Sequence, residues 1–97
     1  MGKVTQPSPN VRRRVAVVNE RGLHARAAAR FVKLAEGFES EIVVLRNGVS
    51  VSGRSIMGLM MLAAASGCEI EIEASGQDAA EAVAALADLV GNRFGEG

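Results

Sequence analysis

The chain has 97 residues, equal numbers of acidic and basic side chains, and a single cysteine. Its length suffices for one domain with a modest hydrophobic core, and one cysteine excludes an internal disulfide. No Cys/His cluster has the spacing of metal ligands, so we expect neither a metal nor another cofactor. Residues 1–14 lack the apolar core of a signal peptide, and the most apolar stretch, residues 55–68, is too short and interrupted for membrane insertion. We therefore expect a cytoplasmic protein.

The charges are distributed unevenly along the chain. Residues 1–54 carry ten Lys or Arg and four Glu, whereas residues 55–97 carry one Arg and seven Asp or Glu. A basic half that holds the only histidine, His24, indicates an anionic ligand or an acidic partner surface. Nucleic acid is disfavoured as a partner because the chain has no Trp or Tyr, only three Phe, and no nucleic-acid-binding motif.

The first half of the chain predicts a strand, a helix and a hairpin. Residues 1–10 hold both prolines and are predicted to form a flexible tail, and residues 12–19 favour a strand. Residues 25–36 predict a helix whose buried stripe is Ala28, Phe31, Val32 and Ala35. Asn47 and Gly48, between two β-rich runs, predict a two-residue type I′ turn. The hairpin then has one face formed by Ile42, Val44, Val49 and Val51, with Val43 and Leu45 on the other.

The second half predicts a short helix, a strand and a longer helix. Ser55 is a suitable N-cap for the short apolar helix, and residues 68–74 alternate between apolar residues and Glu as a half-buried strand does. Asp78 and Glu81 favour a capping box at the start of the last helix, which ends near Gly91.

The resulting order, β-α-β-β-α-β-α, predicts a two-layer α+β sandwich, because each strand has one apolar face and each helix one apolar stripe. A ferredoxin-like split βαβ arrangement is compatible with the same pattern. We assign residues 11–92 to one domain and residues 93–97 to a C-terminal tail.

His24 stands at the mouth of the first predicted helix, where Ser, Thr, Asp or Asn is the usual N-cap. The first-turn amides and the positive end of the helix dipole face that position and favour a neutral imidazole ring. The guanidinium of Arg26 can add charged hydrogen-bond donors for an anion on the ring, and Gly22 allows a tight turn before His24. Together these residues predict a covalent phosphohistidine site.

Two segments carry a resemblance to a known family. GLHARAAARFVKLA (residues 22–35) and NGVSVSGRSIMGLMML (residues 47–62) resemble the active-site segment and the hairpin-plus-serine segment of HPr, the histidine-containing phosphocarrier family of the phosphoenolpyruvate-dependent phosphotransferase system. The likeness covers residues 11–92 and includes the order of elements. It implies an open-faced sandwich in which three helices cover one face of a four-stranded antiparallel sheet.

The resemblance also implies roles for particular residues. His24 would be phosphorylated on Nδ1, Arg26 would support the phosphoryl group, and Ser55 matches a regulatory serine that a dedicated ATP-dependent kinase phosphorylates in some members. The implied partners are an enzyme I-type phosphodonor, an enzyme II A-type acceptor and, in some hosts, a serine kinase/phosphorylase. The protein would be a carrier and not an enzyme. Ala27 replaces the family's usual proline, and the resemblance leaves both branches open, sugar uptake and nitrogen regulation.

Two sets of side chains are predicted to dock these partners. A basic stripe of three residues at helical spacing would attract an acidic protein towards His24. Three methionines on a helix of about two turns cannot all point inward and offer an adaptable surface. The basic stripe is Arg26, Arg30 and Lys33, and the methionine patch is Met57, Met60 and Met61.

Two other functions are weighed against a carrier. In the first, the chain is a regulatory binding module in which His24 only caps a helix. In the second, Ser55 and His24 act together in a small hydrolase. The second is disfavoured because Ser55 is explained as an N-cap and no nucleophile-elbow motif surrounds it.

Overall fold

Residues 10–96, the part of the chain that the computed structural model describes, contain four strands and three α-helices in the order β-α-β-β-α-β-α. The strands are β1 (Asn10–Ala16), β2 (Glu41–Arg46), β3 (Val49–Ser52) and β4 (Glu69–Ser75), and the helices are α1 (Ala25–Ala35), α2 (Ile56–Met61) and α3 (Ala79–Gly91). The predicted N-terminal tail lies outside the described residues except for Asn10, which begins β1. No helix within residues 10–96 combines the length and the apolar character needed to cross a membrane.

The strands form one sheet in the order β1-β4-β2-β3, and every neighbouring pair is antiparallel. The buried side chains of the two central strands alternate with exposed or half-buried ones, as a sheet covered on one face requires. The helices pack on that face and on one another. The predicted four-stranded open-faced α+β sandwich is therefore confirmed.

The hairpin between β2 and β3 has the predicted geometry. Asn47 and Gly48 have φ angles of 52° and 80°, and a type I′ turn needs positive φ at both central residues. The turn sets the register that places Val44 opposite Val51. Val49 shares their face but is 49% exposed, because β3 is the edge strand.

The core extends past the end of α3. Phe31 of α1 and Phe94 are its largest fully buried side chains. Phe94 belongs to the predicted C-terminal tail, whose described part, residues 93–96, we call the C-terminal segment. Arg93 and Phe94 have φ angles of 58° and 54°, in the left-handed region that non-glycine residues rarely adopt. This turn folds the C-terminal segment back against α1.

The start of α3 differs from the prediction. The capping box at Asp78 and Glu81 is wrong, because Asp78 makes no side-chain hydrogen bond to the helix amides. Its carboxylate instead accepts hydrogen bonds from the Ser40 hydroxyl and from the backbone N–H groups of Glu39 and Ser40. These bonds, the one from the Ser40 hydroxyl above all, lower the pKa of Asp78. Asp78 thus joins α3 to the loop before β2, a contact between residues distant in the sequence.

Candidate functional site

His24 occupies the N-cap of α1, as predicted. Its backbone is extended, and its Nδ1 atom accepts a hydrogen bond of 3.3 Å from the N–H of Arg26. The first intrahelical bond runs from the Ala28 N–H to the His24 carbonyl, so the N–H groups of Ala25 and Ala27 have no intrahelical acceptor. The first turn contains no acidic side chain. The imidazole therefore lies beside amide donors at the positive end of the helix dipole.

The turn before His24 is fixed by the loop that follows α2. The N–H of Leu23, a buried residue, donates to the Ala64 carbonyl over 2.9 Å. Gly22 has a φ of +66°, and a Cβ atom there would lie 2.5 Å from the Ala64 carbonyl oxygen. Only glycine combines this backbone conformation with so close an approach. The position of the histidine backbone thus depends on contacts with the neighbouring loop.

The other ring nitrogen of His24 faces the C-terminal segment. Nε2 lies 2.6 Å from Oε2 of Glu96, and both side chains are about three-quarters buried, with exposed fractions of 22% and 23%. Because Nδ1 accepts a hydrogen bond, the neutral tautomer of the ring carries its proton on Nε2. This N–H group donates a hydrogen bond to the Glu96 carboxylate. The hydrogen bond from His24 is the main cause of the lowered pKa of Glu96. The lone pair of the ring is thereby placed on Nδ1.

Two further side chains hold this arrangement together. Asn19 is almost fully buried, and its Nδ2 donates to the Gly22 carbonyl over 2.7 Å and to Glu96 Oε1 over 3.3 Å. Both partners are acceptors, which fixes the orientation of the amide, and Asn19 Oδ1 has no hydrogen-bond partner among the described residues. Arg30 donates to the Phe94 carbonyl. Asn19 and Arg30 therefore anchor the C-terminal segment next to His24.

The basic stripe is exposed along α1. Arg26, Arg30 and Lys33 are all exposed. Arg26 follows His24 by two residues in the first helical turn. Arg30 differs from the other two because its guanidinium is tied to the C-terminal segment.

Ser55 is the N-cap of α2, as predicted. Its hydroxyl accepts a hydrogen bond of 2.9 Å from the Gly58 N–H. The hydrogen bonds within residues 10–96 include none between Ser55 and His24, so the structure does not form the pair that a hydrolase would require.

The methionine patch is on the surface of α2. Met57, Met60 and Met61 are exposed by 74%, 44% and 74%, while Leu59 is the buried residue of the helix. The prediction that the three methionines do not all point inward is confirmed. Ile56 lines the same shallow apolar hollow.

Asn19 and Glu96 are the site residues that sequence reasoning missed. Glu96 is 72 residues away from His24 in the chain, and no local motif connects the two. Asn19 lies in a stretch predicted to be a strand, whereas β1 ends at Ala16.

The geometry suits transient attachment of a phosphoryl group. A partly exposed imidazole presents Nδ1 where backbone amides and an arginine can contact an anion.

Comparisons with known proteins agree with this description. The family model described as "PTS HPr component phosphorylation site" matches residues 11–92. The chain is 53% identical over 83 residues to the phosphocarrier protein HPr of Neisseria meningitidis serogroup A, covering 86% of this chain and 93% of the relative. It is 47% identical over 87 residues to that of Cupriavidus necator, covering 90% and 98%.

Solved structures give the same result. The structure of HPr from Thermoanaerobacter tengcongensis has a TM-score of 0.85 and 40% identity, covering 90% of this chain and 98% of that one. For HPr from Bacillus anthracis the TM-score is 0.80 with 44% identity, covering 84% and 96%. The chain belongs to the HPr family of phosphocarriers of the phosphotransferase system, which confirms the resemblance seen in residues 22–35 and 47–62.

Proposed function

We propose that His24 accepts a phosphoryl group from the phosphohistidine of an enzyme I-type donor and passes it to an enzyme II A-type acceptor. The observation that carries this proposal is the placement of the Nδ1 lone pair at the N-terminus of α1, within hydrogen-bond distance of the Arg26 amide. An anion bound there faces amide donors and the positive end of the helix dipole.

The transfer step exchanges one phosphorus–nitrogen bond for another. The Nδ1 lone pair of His24 forms a bond to phosphorus, while the donor's phosphorus–nitrogen bond breaks and its electron pair returns to the donor ring. Nε2 keeps its proton throughout. The Arg26 amide then donates to a phosphoryl oxygen instead of to Nδ1, and the Arg26 guanidinium adds a charge-assisted contact. The reverse exchange delivers the group to the acceptor, so the chain contributes positioning and electrostatics.

The basic stripe and the methionine patch form the proposed docking surface. Exposed positive charge along α1 would attract an acidic partner, and exposed thioethers on α2 would adapt to more than one partner. The two surfaces belong to helices that pack against each other. The basic stripe lies in residues 1–54, where the basic residues are concentrated, and the methionine patch directly follows that half of the chain.

Ser55 is the proposed site of regulatory phosphorylation by an ATP-dependent serine kinase. It lies at the start of the helix that carries the methionine patch. A phosphoryl group on its hydroxyl would add negative charge beside the proposed docking surface and repel an acidic donor.

The test is to incubate the protein with phosphoenolpyruvate and enzyme I, using enzyme I from a sugar branch and from a nitrogen branch in parallel, and to measure intact mass. We expect uptake of one phosphoryl group that is labile in acid and stable in base, as a phosphorus–nitrogen bond requires. The His24→Ala variant should fold and remain unlabelled. Ser66→Ala, which removes an exposed hydroxyl from the loop after α2, serves as a control that should be labelled normally.

Each other outcome has a definite meaning. Labelling of His24→Ala would show that another residue accepts the phosphoryl group. Failure of both donors to label the wild-type chain would instead support a regulatory binding module in which His24 only caps α1.

A further inference from the structure

We infer that Glu96 is a positioning residue for phosphoryl transfer: its carboxylate holds the proton on Nε2 of His24, which directs the reaction to Nδ1 and balances the charge of the phosphorylated ring. The inference rests on the proposed function of His24. It concerns a residue of the C-terminal segment, which lies beyond the residues matched by the family model.

Two hydrogen bonds support the same tautomer of His24. Nδ1 accepts from the Arg26 N–H, and Nε2 lies 2.6 Å from a Glu96 carboxylate oxygen, which can only accept when ionised. The lowered pKa of Glu96 keeps this carboxylate ionised down to a pH below its usual range. The ring is therefore held from both sides with its lone pair on the nitrogen at the helix N-terminus.

The carboxylate is held in place by several separate contacts. Phe94 is fully buried, and its carbonyl accepts a hydrogen bond from Arg30 of α1. Asn19, from the turn before α1, donates to the second carboxylate oxygen of Glu96. Positive φ angles at Arg93, Phe94 and Gly95 turn the backbone back towards the site. These contacts fix the Glu96 carboxylate beside His24.

The charge of the transfer product gives Glu96 its expected effect. When phosphorus bonds to Nδ1 and Nε2 keeps its proton, the ring becomes a phosphoimidazolium with a positive charge next to Glu96. This protonated form is the better phosphoryl donor, because the ring leaves as neutral imidazole and not as an anion. Within residues 10–96, the titratable or charged groups that face the Glu96 carboxylate are His24 and Arg30, and Arg26 follows His24 on α1. Because the Glu96 carboxylate is negatively charged and accepts the hydrogen bond from Nε2, it favours retention of the Nε2 proton as pH rises.

The first measurement uses the unphosphorylated protein, so it does not depend on the donor. We expect nitrogen-15 NMR of the wild-type ring to show Nε2 protonated and Nδ1 unprotonated, with a slowly exchanging Nε2 proton. Glu96→Ala should remove that slow exchange. Glu36→Gln, at the far end of α1 and about 18 Å from His24 by helix rise, is the matched control and should leave it unchanged. Slow exchange retained in Glu96→Ala would overturn the inference.

The second measurement is the pH profile of phosphoryl transfer from the phosphorylated protein to an acceptor. Glu96→Gln keeps a hydrogen-bond acceptor but removes the charge, so its Nε2 proton should be lost at lower pH than in the wild type. We expect transfer from Glu96→Gln to be up to about fivefold slower at alkaline pH and equal to the wild type at acidic pH, where both rings keep the Nε2 proton, with Glu36→Gln following the wild type throughout.

These results separate the two proposals. A wild-type chain that takes up phosphate, with a Glu96→Gln profile identical to its own, would overturn the role of Glu96 and leave the carrier function intact. A wild-type chain that takes up none would overturn the carrier function, and the role of Glu96 with it.

Discussion

The first two helices begin with N-cap hydrogen bonds that differ in length and in the chemistry of the acceptor. At α2 the Ser55 hydroxyl accepts the Gly58 N–H over 2.9 Å, which is the usual N-cap interaction. At α1 the imidazole of His24 accepts the Arg26 N–H over 3.3 Å, and its other nitrogen is bonded to a different part of the chain. The serine cap satisfies a backbone amide and thereby stabilises the helix. At His24 the cap bond is longer, and its acceptor, Nδ1, is also the atom that would react. The N–H groups of Ala25 and Ala27 remain free of intrahelical acceptors and can contact the phosphoryl group that the ring would carry.

The largest expected effect in this comparison comes from Arg26 of α1, because α2 contains no arginine. Arg26→Ala should slow phosphoryl transfer in both directions by roughly tenfold to a hundredfold, because a hydrogen bond to a charged group contributes about 1.5–3 kcal/mol. The fold should be retained, since Arg26 is exposed. Rapid-quench kinetics of uptake and release measure the effect.

Arg13→Ala provides the control for Arg26→Ala. It removes an exposed guanidinium from β1 and should leave the transfer rates unchanged. If Arg26→Ala also transferred at the wild-type rate, the backbone amides of α1 would suffice to hold the phosphoryl group.

The stabilities of the two caps can be compared directly by truncation. Ser55→Ala should lower the free energy of unfolding by about 1 kcal/mol, because it removes a short N-cap hydrogen bond. His24→Ala removes this longer cap bond and also the bond between Nε2 and Glu96, so the cap alone is tested in a Glu96→Ala background. There His24→Ala should lower the free energy of unfolding by less than Ser55→Ala does, because the bond to the Arg26 amide is longer. Urea denaturation of each variant and its parent measures the difference. A greater loss for His24→Ala in that background would show that the cap of α1 is foremost structural.

The same contrast explains how much of the molecule the sequence could predict. The type I′ turn at Asn47 and Gly48, the Ser55 cap and the buried stripe of α1 were predictable because each depends on neighbouring residues. His24 and Arg26 could be proposed as site residues from the sequence because both lie at a local feature, the N-terminus of α1.

Contacts between distant parts of the chain could not be predicted in this way. Asp78 was expected to cap α3 but binds Ser40, and Glu96 contacts His24 across 72 residues. Both are polar side chains whose partners depend on the tertiary fold. Phe94 offered a weak signal, because a large aromatic residue in a predicted tail is a candidate for burial.

A smaller effect is expected at Ala27, where the family resemblance leads us to expect proline. The Ala27 N–H has no intrahelical acceptor, so Ala27→Pro should break no bond of α1. By restricting the unfolded chain it should stabilise the protein by about 0.4–1 kcal/mol while phosphoryl uptake is retained. Thermal unfolding measures the change. A destabilised variant would mean that the buried surroundings of Ala27 have no room for the ring.

The smallest effect is expected from Ser55→Asp, which leaves the cap of α2 in place and changes its charge. Aspartate keeps a capping oxygen, and a negative charge suits the N-terminus of a helix, so the fold should be as stable as the wild type. The charge would lie beside the methionine patch, where an acidic donor is proposed to bind. We expect the apparent affinity for the donor to fall by up to about fivefold, the range of an exposed charge interaction.

Ser55→Asn is the matched variant for this experiment, because it keeps a capping oxygen without the charge. Its donor affinity should equal that of the wild type, and the defect of Ser55→Asp should shrink as the salt concentration rises, because salt screens repulsion between exposed charges. Steady-state phosphorylation at several donor concentrations distinguishes a change in affinity from a change in the transfer rate. Equal affinities for Ser55→Asp and Ser55→Asn would mean that α2 is not the docking surface. Ser55 would then have only the structural role of a cap, and the contrast between the two helix starts would be one between a chemical site and a purely structural one.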